Sequence, residues 1–311
     1  MSHQTDSGDD ICWYTDETPA DHFLTNRANS WMAVVDGTIS ARCISTALLK
    51  DIKEMTVRKD DVWLAAFPKA GTKWCAEIIS RVLGFGDSPI AEANKAGLGI
   101  PLEYNFPLHS PPDVSASARL HHRVADKWQS PRILTTHLRV DRLPHQIFAK
   151  KAKVIYVMRN PKDTLVSFYT YTSAPQFQGQ RVDWKTLFQC HLDGHYPGGS
   201  WWAHVQGYWA HRSEINFLIL TYENMKQDHP SAVRQIADFL EVTLTDEQVG
   251  HVVEATSFES MKERAVNTHT EGHYRKGQVG DWKNYFTKAE SEAFDEKIER
   301  LRRETGITFQ F

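Results

Sequence analysis

Short apolar runs alternate along the chain with amphipathic segments, a pattern that predicts strands followed by helices. The run 62–67 is continuously apolar, as expected for a strand buried on both faces. Trp74, Ile78 and Val82 then recur every four residues, the spacing of one face of a helix. Pro68 and the residues up to position 72 separate the two patterns. The sequence therefore predicts a strand, a tight loop and a helix in that order.

Similar units follow along the chain. The run 154–158 predicts a second strand, and Asn160 and Pro161 after it are suited to cap and begin a helix. The run 217–220 predicts a third strand, and 132–136 is a candidate fourth. Strands that alternate with helices indicate an α/β fold with a central, mostly parallel sheet flanked by helices.

The distribution of polar residues along the chain predicts its domain organisation. Residues 1–30 are polar, which predicts a flexible N-terminal segment, and we expect 31–311 to form a single domain. The segments 86–130 and 173–204 are rich in proline, glycine, serine and aromatic residues, as functional loops often are. Two capping boxes predict helix starts in the last third of the chain, formed by Thr245 with Gln248 and by Thr287 with Glu290.

Composition narrows the class of protein. Hydrophobic residues make up 41% of the chain and charged residues 24%, as in ordinary globular proteins. The net charge of −3 gives no sign of a general nucleic-acid binder, which usually carries a basic excess. The N-terminus does not resemble a signal peptide, and no apolar run approaches the roughly 20 residues of a membrane span. We expect a cytoplasmic protein whose scattered cysteines are reduced thiols: Cys12, Cys43, Cys75 and Cys190.

The first strand–loop–helix unit has the features of a phosphate site. A helix N-terminus offers unpaired backbone N–H groups, Gly71 permits close approach of an anion, and Lys69 supplies a charge. Thr72 adds a hydroxyl at the predicted helix start. The loop does not match the GxxxxGK[ST] fingerprint of nucleoside triphosphatases. On these residues alone, a βα turn that binds nothing is an equal alternative.

Three strings resemble signatures of the cytosolic sulfotransferases. FPKAGTKW at 67–74 is similar to the family's 5′-phosphosulfate loop, and VIYVMRNPKDTLVSFY at 154–169 is similar to its second signature. RKGQVGDWKNYFT at 275–287 resembles the third, and GSWWAHV at 199–205 resembles a further stretch. The resemblance implies a P-loop-like sulfotransferase fold. It also implies transfer of a sulfuryl group from 3′-phosphoadenylyl sulfate (PAPS) to a small acceptor.

The resemblance also implies the nucleotide site. Lys69 would contact the bridging oxygen between phosphate and sulfate, while Arg159 and Ser167 would bind the 3′-phosphate. Without the resemblance, these are an arginine at a strand end and a serine on a helix face. The full set of implied cofactor-binding residues is Lys69, Ala70, Gly71, Thr72, Lys73, Trp74, Arg159, Ser167, Tyr222, Thr256, Ser257, Phe258, Met261, Arg275, Lys276 and Gly277.

The catalytic residues implied are His137, as the general base, and Lys69. His137 lies in THLR, which resembles the family's Lys-Thr-His-Leu-Pro motif. Two departures concern this motif: Thr135 stands where a lysine is usual, and Arg139 replaces the proline. In the phosphosulfate loop, Ala70 and Lys73 replace the usual serine and threonine. Lys73 or Arg139 is a candidate to compensate for the absent lysine.

The resemblance implies that the acceptor is a phenol, a steroid, another alcohol or an amine. Aromatic side chains that could line its pocket are Tyr104, Phe106, His109, Phe177 and Trp201. Two alternatives stay open, a non-catalytic homologue that binds PAPS or its product PAP, and a P-loop nucleotide kinase. We see no metal-ligand cluster, and we expect no metal.

Self-association is the last expectation. The segment 283–292 resembles the family's short dimer motif, with Lys288 in place of an apolar valine. In a two-fold contact, residues near the axis face their own copies. We therefore expect the family-type dimer to be weakened.

Overall fold

A computed structural model provides the three-dimensional structure of the chain. The described residues are 32–35, 38–41, 44–87, 89–95, 97–104, 121–173, 183–196, 198–214, 216–266 and 271–307. Several residues considered above lie outside them: the segment 1–30, Cys12, Cys43, Phe106, His109 and Phe177. Cys75 and Cys190 lie within the described residues, and both are buried.

The strands form two sheets. A short antiparallel pair, β1 and β2, precedes a four-stranded parallel sheet with the order β4-β3-β5-β6. The strands are β1 Met32–Val35, β2 Thr38–Ala41, β3 Val62–Ala66, β4 Ile133–Thr136, β5 Lys153–Met158 and β6 Phe217–Thr221. The predicted central parallel sheet is confirmed, including the candidate fourth strand.

Helices flank this sheet. The first seven are α1 Thr46–Lys53, α2 Thr72–Leu83, α3 Glu92–Lys95, α4 His121–Asp126, α5 Gln146–Lys150, α6 Pro161–Thr172 and α7 Trp184–Asp193. The others are α8 Trp201–Trp209, α9 Tyr222–Gln227, α10 His229–Leu240, α11 Asp246–Ala255, α12 Phe258–Ala265 and α13 Lys288–Thr305. Within the described residues, 3₁₀ turns span Val140–Arg142, Glu271–His273 and Asp281–Asn284. No helix in the described ranges has the length and apolar character needed to cross a membrane.

Local sequence explains several helix starts. Both predicted capping boxes are present, at the beginnings of α11 and α13. Asn160 caps α6 by accepting a hydrogen bond from the Lys162 backbone N–H, and Pro161 occupies the first position. By contrast, α2 begins after Gly71 with no side-chain cap. The N–H groups of its first turn, which have no intrahelical acceptors in any helix, therefore also lack a side-chain cap.

The sheet separates two hydrophobic cores. Trp63 and Ala65 of β3 face one core with helices α1, α6, α7, α8 and α13, whereas Leu64 faces the other with α2, α10 and α11. This alternation follows from the two-residue repeat of a strand. Because helices cover both faces, all five residues of β3 are buried. A fully buried valine or leucine contributes about 1.5–3 kcal/mol.

The topology brings together the loops that follow the parallel strands. Residues 67–71 follow β3, His137 follows β4, Arg159 follows β5 and Tyr222 follows β6. The carboxyl ends of parallel strands lie at one edge of a sheet, where α/β proteins bind their ligands.

Candidate active site

A cavity of about 380 Å³ lies at this edge of the sheet. It brings together most of the residues selected from the sequence: Lys69, Gly71, Thr72, Lys73, Trp74, His137, Arg159, Ser167, Tyr222, Phe258, Met261, Arg275, Lys276 and Gly277. Among the selected residues, Ala70, Thr256 and Ser257 do not line it.

The loop after β3 forms a tight anion cradle. Gly71 has a φ of 101°, and a Cβ at this position would approach Tyr222 Cδ2 to 2.7 Å. Glycine is therefore required both by the backbone and by the neighbouring ring. Lys69 also has a positive φ, of 70°, a conformation that costs a non-glycine residue about 1–3 kcal/mol. The hydroxyl of Thr72 is buried and has no hydrogen-bond partner among the described residues. Such an unsatisfied donor at a helix start suits a phosphate oxygen.

Ala70 differs from its neighbours in this loop. Its side chain is buried, and its backbone N–H donates to the carbonyl of Phe67 over 3.1 Å. The turn thus already uses the backbone donor of Ala70, although the resemblance implied that Ala70 binds the cofactor. The free donors of the cradle begin one or two residues later, at the start of α2.

Lys69 lies among other cations. Its Nζ is 3.8 Å from the centroid of the Tyr171 ring. Burial lowers its pKa to about 7, with further contributions from Arg159, Lys73 and Arg275. A bound anion would raise the pKa of Lys69 again, because it would place a negative charge among these cations.

Arg159 is held in place by backbone carbonyls. Its guanidinium donates to the carbonyls of Lys69 over 3.0 Å and Gln278 over 3.2 Å, and it lies 4.2 Å from the Tyr222 ring centroid. Its Nε is buried and unpaired within the described part of the chain. Ser167, on α6, is half-buried and lines the same cavity.

The basic loop, residues 275–281, carries its own counter-ion. Arg275 and Lys276 donate to the two carboxylate oxygens of Asp281 over 2.5 and 2.7 Å. Burial alone would raise the pKa of Asp281, but hydrogen bonds from Lys276, Arg275 and Asn284 lower it to about 2. Asp281 therefore stays ionised and fixes both cations.

Asp163 anchors this loop to α6. Its carboxylate accepts hydrogen bonds from the backbone N–H groups of Gly280 over 2.8 Å and Trp282 over 3.1 Å. Sequence reasoning gave neither Asp163 nor Asp281 a role in the site. The signal in the sequence was weak: each acid lies inside a signature that already carries the basic residues.

Gly277 is packed against the aromatic wall of the cavity. It has a φ of 63°, and a Cβ there would come within 2.3 Å of Phe258 Cδ2. Trp74 lines the same region, and its Nε1–H donates to the carbonyl of Thr256 over 2.9 Å. Thr256 thus supports Trp74 from behind instead of lining the cavity. Ser257 caps α12, since its hydroxyl accepts from the Ser260 N–H.

His137 has a defined tautomer. Its Nδ1 lies 2.7 Å from the carbonyl oxygen of Ala66, which can only accept, so Nδ1 carries the proton. Nε2 is consequently an acceptor. Burial lowers the pKa of His137 to about 4; the charges of Lys69 and Lys73 act in the same direction, and the hydrogen bond to Ala66 opposes them. The imidazole is therefore neutral near pH 7 and able to take a proton.

A buried polar network holds the backbone of His137. Its N–H donates to Glu103 over 2.7 Å, and its carbonyl accepts from His204 Nε2 over 3.1 Å. Tyr156 in turn donates to His204 Nδ1 over 2.9 Å. Sequence reasoning missed Glu103, His204 and Tyr156 as positioning residues; His204 stood in a quoted signature without a role.

The residues that depart from the family motif occupy different environments. Thr135 is buried on β4, and its hydroxyl has no partner among the described residues. Arg139 does not line the cavity and pairs with Asp141 over 3.1 Å on the surface. Lys73 lines the cavity. Of the two candidate replacements for the absent lysine, only Lys73 is therefore in position.

The described walls beside His137 are largely apolar. They include Ile100, Pro101, Tyr104, Phe168 and Tyr171. Tyr104 was selected from the sequence, and its ring centroid lies 6.1 Å from that of His137. The expectation for Trp201 was wrong, because its side chain is fully buried in the core. No group of three or more His, Cys, Asp or Glu side chains suited to a metal occurs in the described ranges.

This arrangement, a helix-start anion cradle beside a neutral histidine in an α/β sheet, is typical of enzymes that transfer a charged group. The family model "Sulfotransferase domain" matches residues 59–306. The chain belongs to the sulfotransferase family, and it is an enzyme of that class.

Characterised relatives cover most of the chain. It is 34% identical to Sulfotransferase 2A1 of Homo sapiens, over 84% of this chain and 92% of the relative. It is 33% identical to Sulfotransferase 1B1 of Canis lupus familiaris, over 84% and 89%. The crystal structure of mouse sulfotransferase SULT7A1 complexed with PAP superposes with a TM-score of 0.75 at 29% identity, over 89% of this chain and 96% of that one.

Proposed function

We propose that the protein transfers a sulfuryl group from PAPS to a hydroxyl or amine of a small acceptor, with His137 as general base. The observation that carries the proposal is the convergence of Lys69, Arg159, Arg275 and His137 on one cavity. The PAP complex of the similar mouse sulfotransferase supports the choice of nucleotide.

The residues present fit such a nucleotide. The unpaired N–H groups at the start of α2 and the buried Thr72 hydroxyl suit a 5′-phosphate. Arg159, Ser167 and the basic loop would hold the 3′-phosphate, which distinguishes PAPS from ATP. The aromatic side chains of Trp74 and Phe258 offer surfaces for adenine.

The chemistry assigned to the protein follows from His137 and Lys69. PAPS, when bound, supplies an activated sulfuryl group. His137 Nε2 takes the proton of the acceptor hydroxyl as its oxygen forms a bond to sulfur. Lys69 stabilises the negative charge that develops on the phosphate oxygen when the old sulfur–oxygen bond breaks. The Ala66 carbonyl keeps Nδ1 protonated and so stabilises the imidazolium that forms.

The walls beside His137 favour an apolar acceptor. Ile100, Pro101 and Phe168 offer no charged group to an acceptor, while Lys69 and Lys73 would repel a cation. We therefore infer that alcohols and phenols are better acceptors than protonated amines. We also propose a cytoplasmic location, by similarity to the cytosolic family, and turnover without a metal.

Turnover with labelled PAPS and a panel of phenols, steroids and amines tests the proposal. Sulfated product that forms in the presence of EDTA would support it. The alternative of a non-catalytic binder rests on Thr135, which provides no ammonium. Tight PAP binding with no product from any acceptor would favour that alternative. Strict dependence on Mg²⁺ and ATP would favour a kinase.

A further inference from the structure

Lys73 occupies an electrostatically unfavourable position. It is the second residue of α2, and the first turn of this helix contains no acidic residue. The N-terminus of a helix carries a partial positive charge, so a cation there reduces stability. Burial lowers the pKa of Lys73 to about 8. The fold alone gives no reason for a lysine at this position.

Neighbouring backbone holds the side chain inside the site. A Cβ at Gly99 would lie 3.2 Å from Lys73 Cα and 3.3 Å from its Cγ, so segment 97–101 passes directly over the lysine stem. Gly99 has a φ of 70°, which favours glycine at this crossing. The same segment continues to Pro101, which pairs with Thr135 of β4. Lys73 is thus enclosed between the anion cradle and the wall beside His137.

No described acid compensates this charge. Arg275 and Lys276 share Asp281, and Arg139 pairs with Asp141. Among the described residues, Lys73 has no carboxylate within 4.0 Å. Its charge is felt by both Lys69 and His137. An anion bound between these groups would supply the missing counter-charge.

We propose that Lys73 is a second cation for the transferring sulfuryl group, which donates a hydrogen bond to a sulfuryl oxygen and keeps its proton throughout. It would take the place of the ammonium that Thr135 cannot provide. This inference rests on the proposed function. It assigns a catalytic role to a residue that replaces the usual threonine of the phosphosulfate loop.

Lys73→Met tests the proposal, because it keeps the aliphatic stem and removes the charge. We expect kcat at saturating PAPS to fall about 10- to 100-fold, the worth of one charge-assisted hydrogen bond. The affinity for PAP, which has no sulfuryl group, should change by less than about threefold. Lys73→Arg should retain more activity than Lys73→Met. Lys262→Met, which removes the same charge from an exposed position on α12, is the matched control.

Thermal unfolding separates this role from a structural one. Without ligand, Lys73→Met should unfold at the same temperature as the wild type or higher, because a cation leaves the positive end of α2. A lower unfolding temperature would overturn the argument from the unfavourable position. An equal loss of PAP affinity and kcat would assign Lys73 to the 5′-phosphate and contradict the proposal. An unchanged kcat in a variant of the active wild type would also contradict it, whereas an inactive wild type would refute the proposed function itself.

Discussion

Arg275 and Lys276 share the carboxylate of Asp281, whereas Lys69 and Lys73, beside His137, have no carboxylate within salt-bridge distance among the described residues. The first pair keeps a fixed geometry without ligand, since Asp281 and the Asp163 clamp hold it. The second pair is desolvated, and the pKa of each lysine is lowered. We interpret the basic loop as a prearranged binding element and Lys69 with Lys73 as groups stabilised only by an anion.

The largest effect is expected for His137, the proposed base, which lines the same cavity as Lys69 and Lys73. His137→Ala should lower kcat by about 10²–10⁴, the usual contribution of a general base. PAP affinity should change little, because the imidazole bonds to Ala66 and not to the basic loop. Steady-state kinetics with a phenol and calorimetry with PAP would measure the two effects. Near-full turnover by the variant would show that another group takes the proton.

The role of the basic loop in nucleotide binding can be tested at Arg275. Arg275→Ala should weaken PAP binding about 10- to 100-fold, because it removes a charge-assisted contact to the 3′-phosphate. Asp281 keeps Lys276 and Asn284 as partners, so the loop should stay folded.

AMP, which lacks the 3′-phosphate, is the control ligand for this variant. Its affinity should be nearly the same for Arg275→Ala and the wild type. If the wild-type protein binds AMP as tightly as PAP in calorimetry, the assignment of this loop to the 3′-phosphate is wrong.

A pH titration of binding should sharpen the difference between the two pairs. The free protein has a Lys69 pKa of about 7, and a bound anion should raise it toward the ordinary value of 10.5. Between these values, binding requires uptake of a proton by Lys69. PAP affinity should therefore fall as pH rises above about 7, by up to about tenfold per pH unit for each proton taken up.

Calorimetry in buffers of different ionisation enthalpy would count these protons at pH 8. Lys73→Met should leave most of this uptake in place, because PAP lacks the sulfuryl group that Lys73 is proposed to contact. Arg275→Ala should not remove the uptake, since an arginine does not release its proton in this range. Binding of PAP at pH 8 without any proton uptake would contradict the interpretation of Lys69 as a group stabilised by an anion.

The sequence predicted the fold well for a physical reason. The strands of the sheet are buried on both faces, which leaves continuous apolar runs such as 62–67, and α2 has a clear four-residue repeat. Resemblance then grouped residues far apart in the chain, and the structure brings Lys69, Arg159 and Arg275 to one cavity. Their roles toward a ligand remain predictions.

The sequence could not predict which neighbouring groups each residue contacts in the folded protein. Nothing in the chain indicates that the Ala70 N–H is already bonded to Phe67, or that Thr256 lies behind Trp74. Trp201, in a glycine- and serine-rich stretch, has the composition of a loop residue, yet α8 directs it into the core. Such outcomes depend on tertiary packing, which single-residue chemistry does not encode.

The smallest effect, on self-association, is expected for Lys288, a lysine on the protein surface. Lys288 has 90% of its side chain exposed and faces Glu292 over 3.7 Å, a pair worth at most a few tenths of a kcal/mol. If the family-type dimer formed through segment 283–292, two Lys288 ammonium groups would approach each other across the axis. We expect a monomer at micromolar concentration by sedimentation equilibrium, and a Lys288→Val variant that associates more strongly.

Because the Thr287–Glu290 capping box stays intact in this variant, a change in association would report on the charge and not on helix unfolding. A tight wild-type dimer at low salt would show that the repulsion does not decide assembly, since salt screens exposed charges but cannot create the contact.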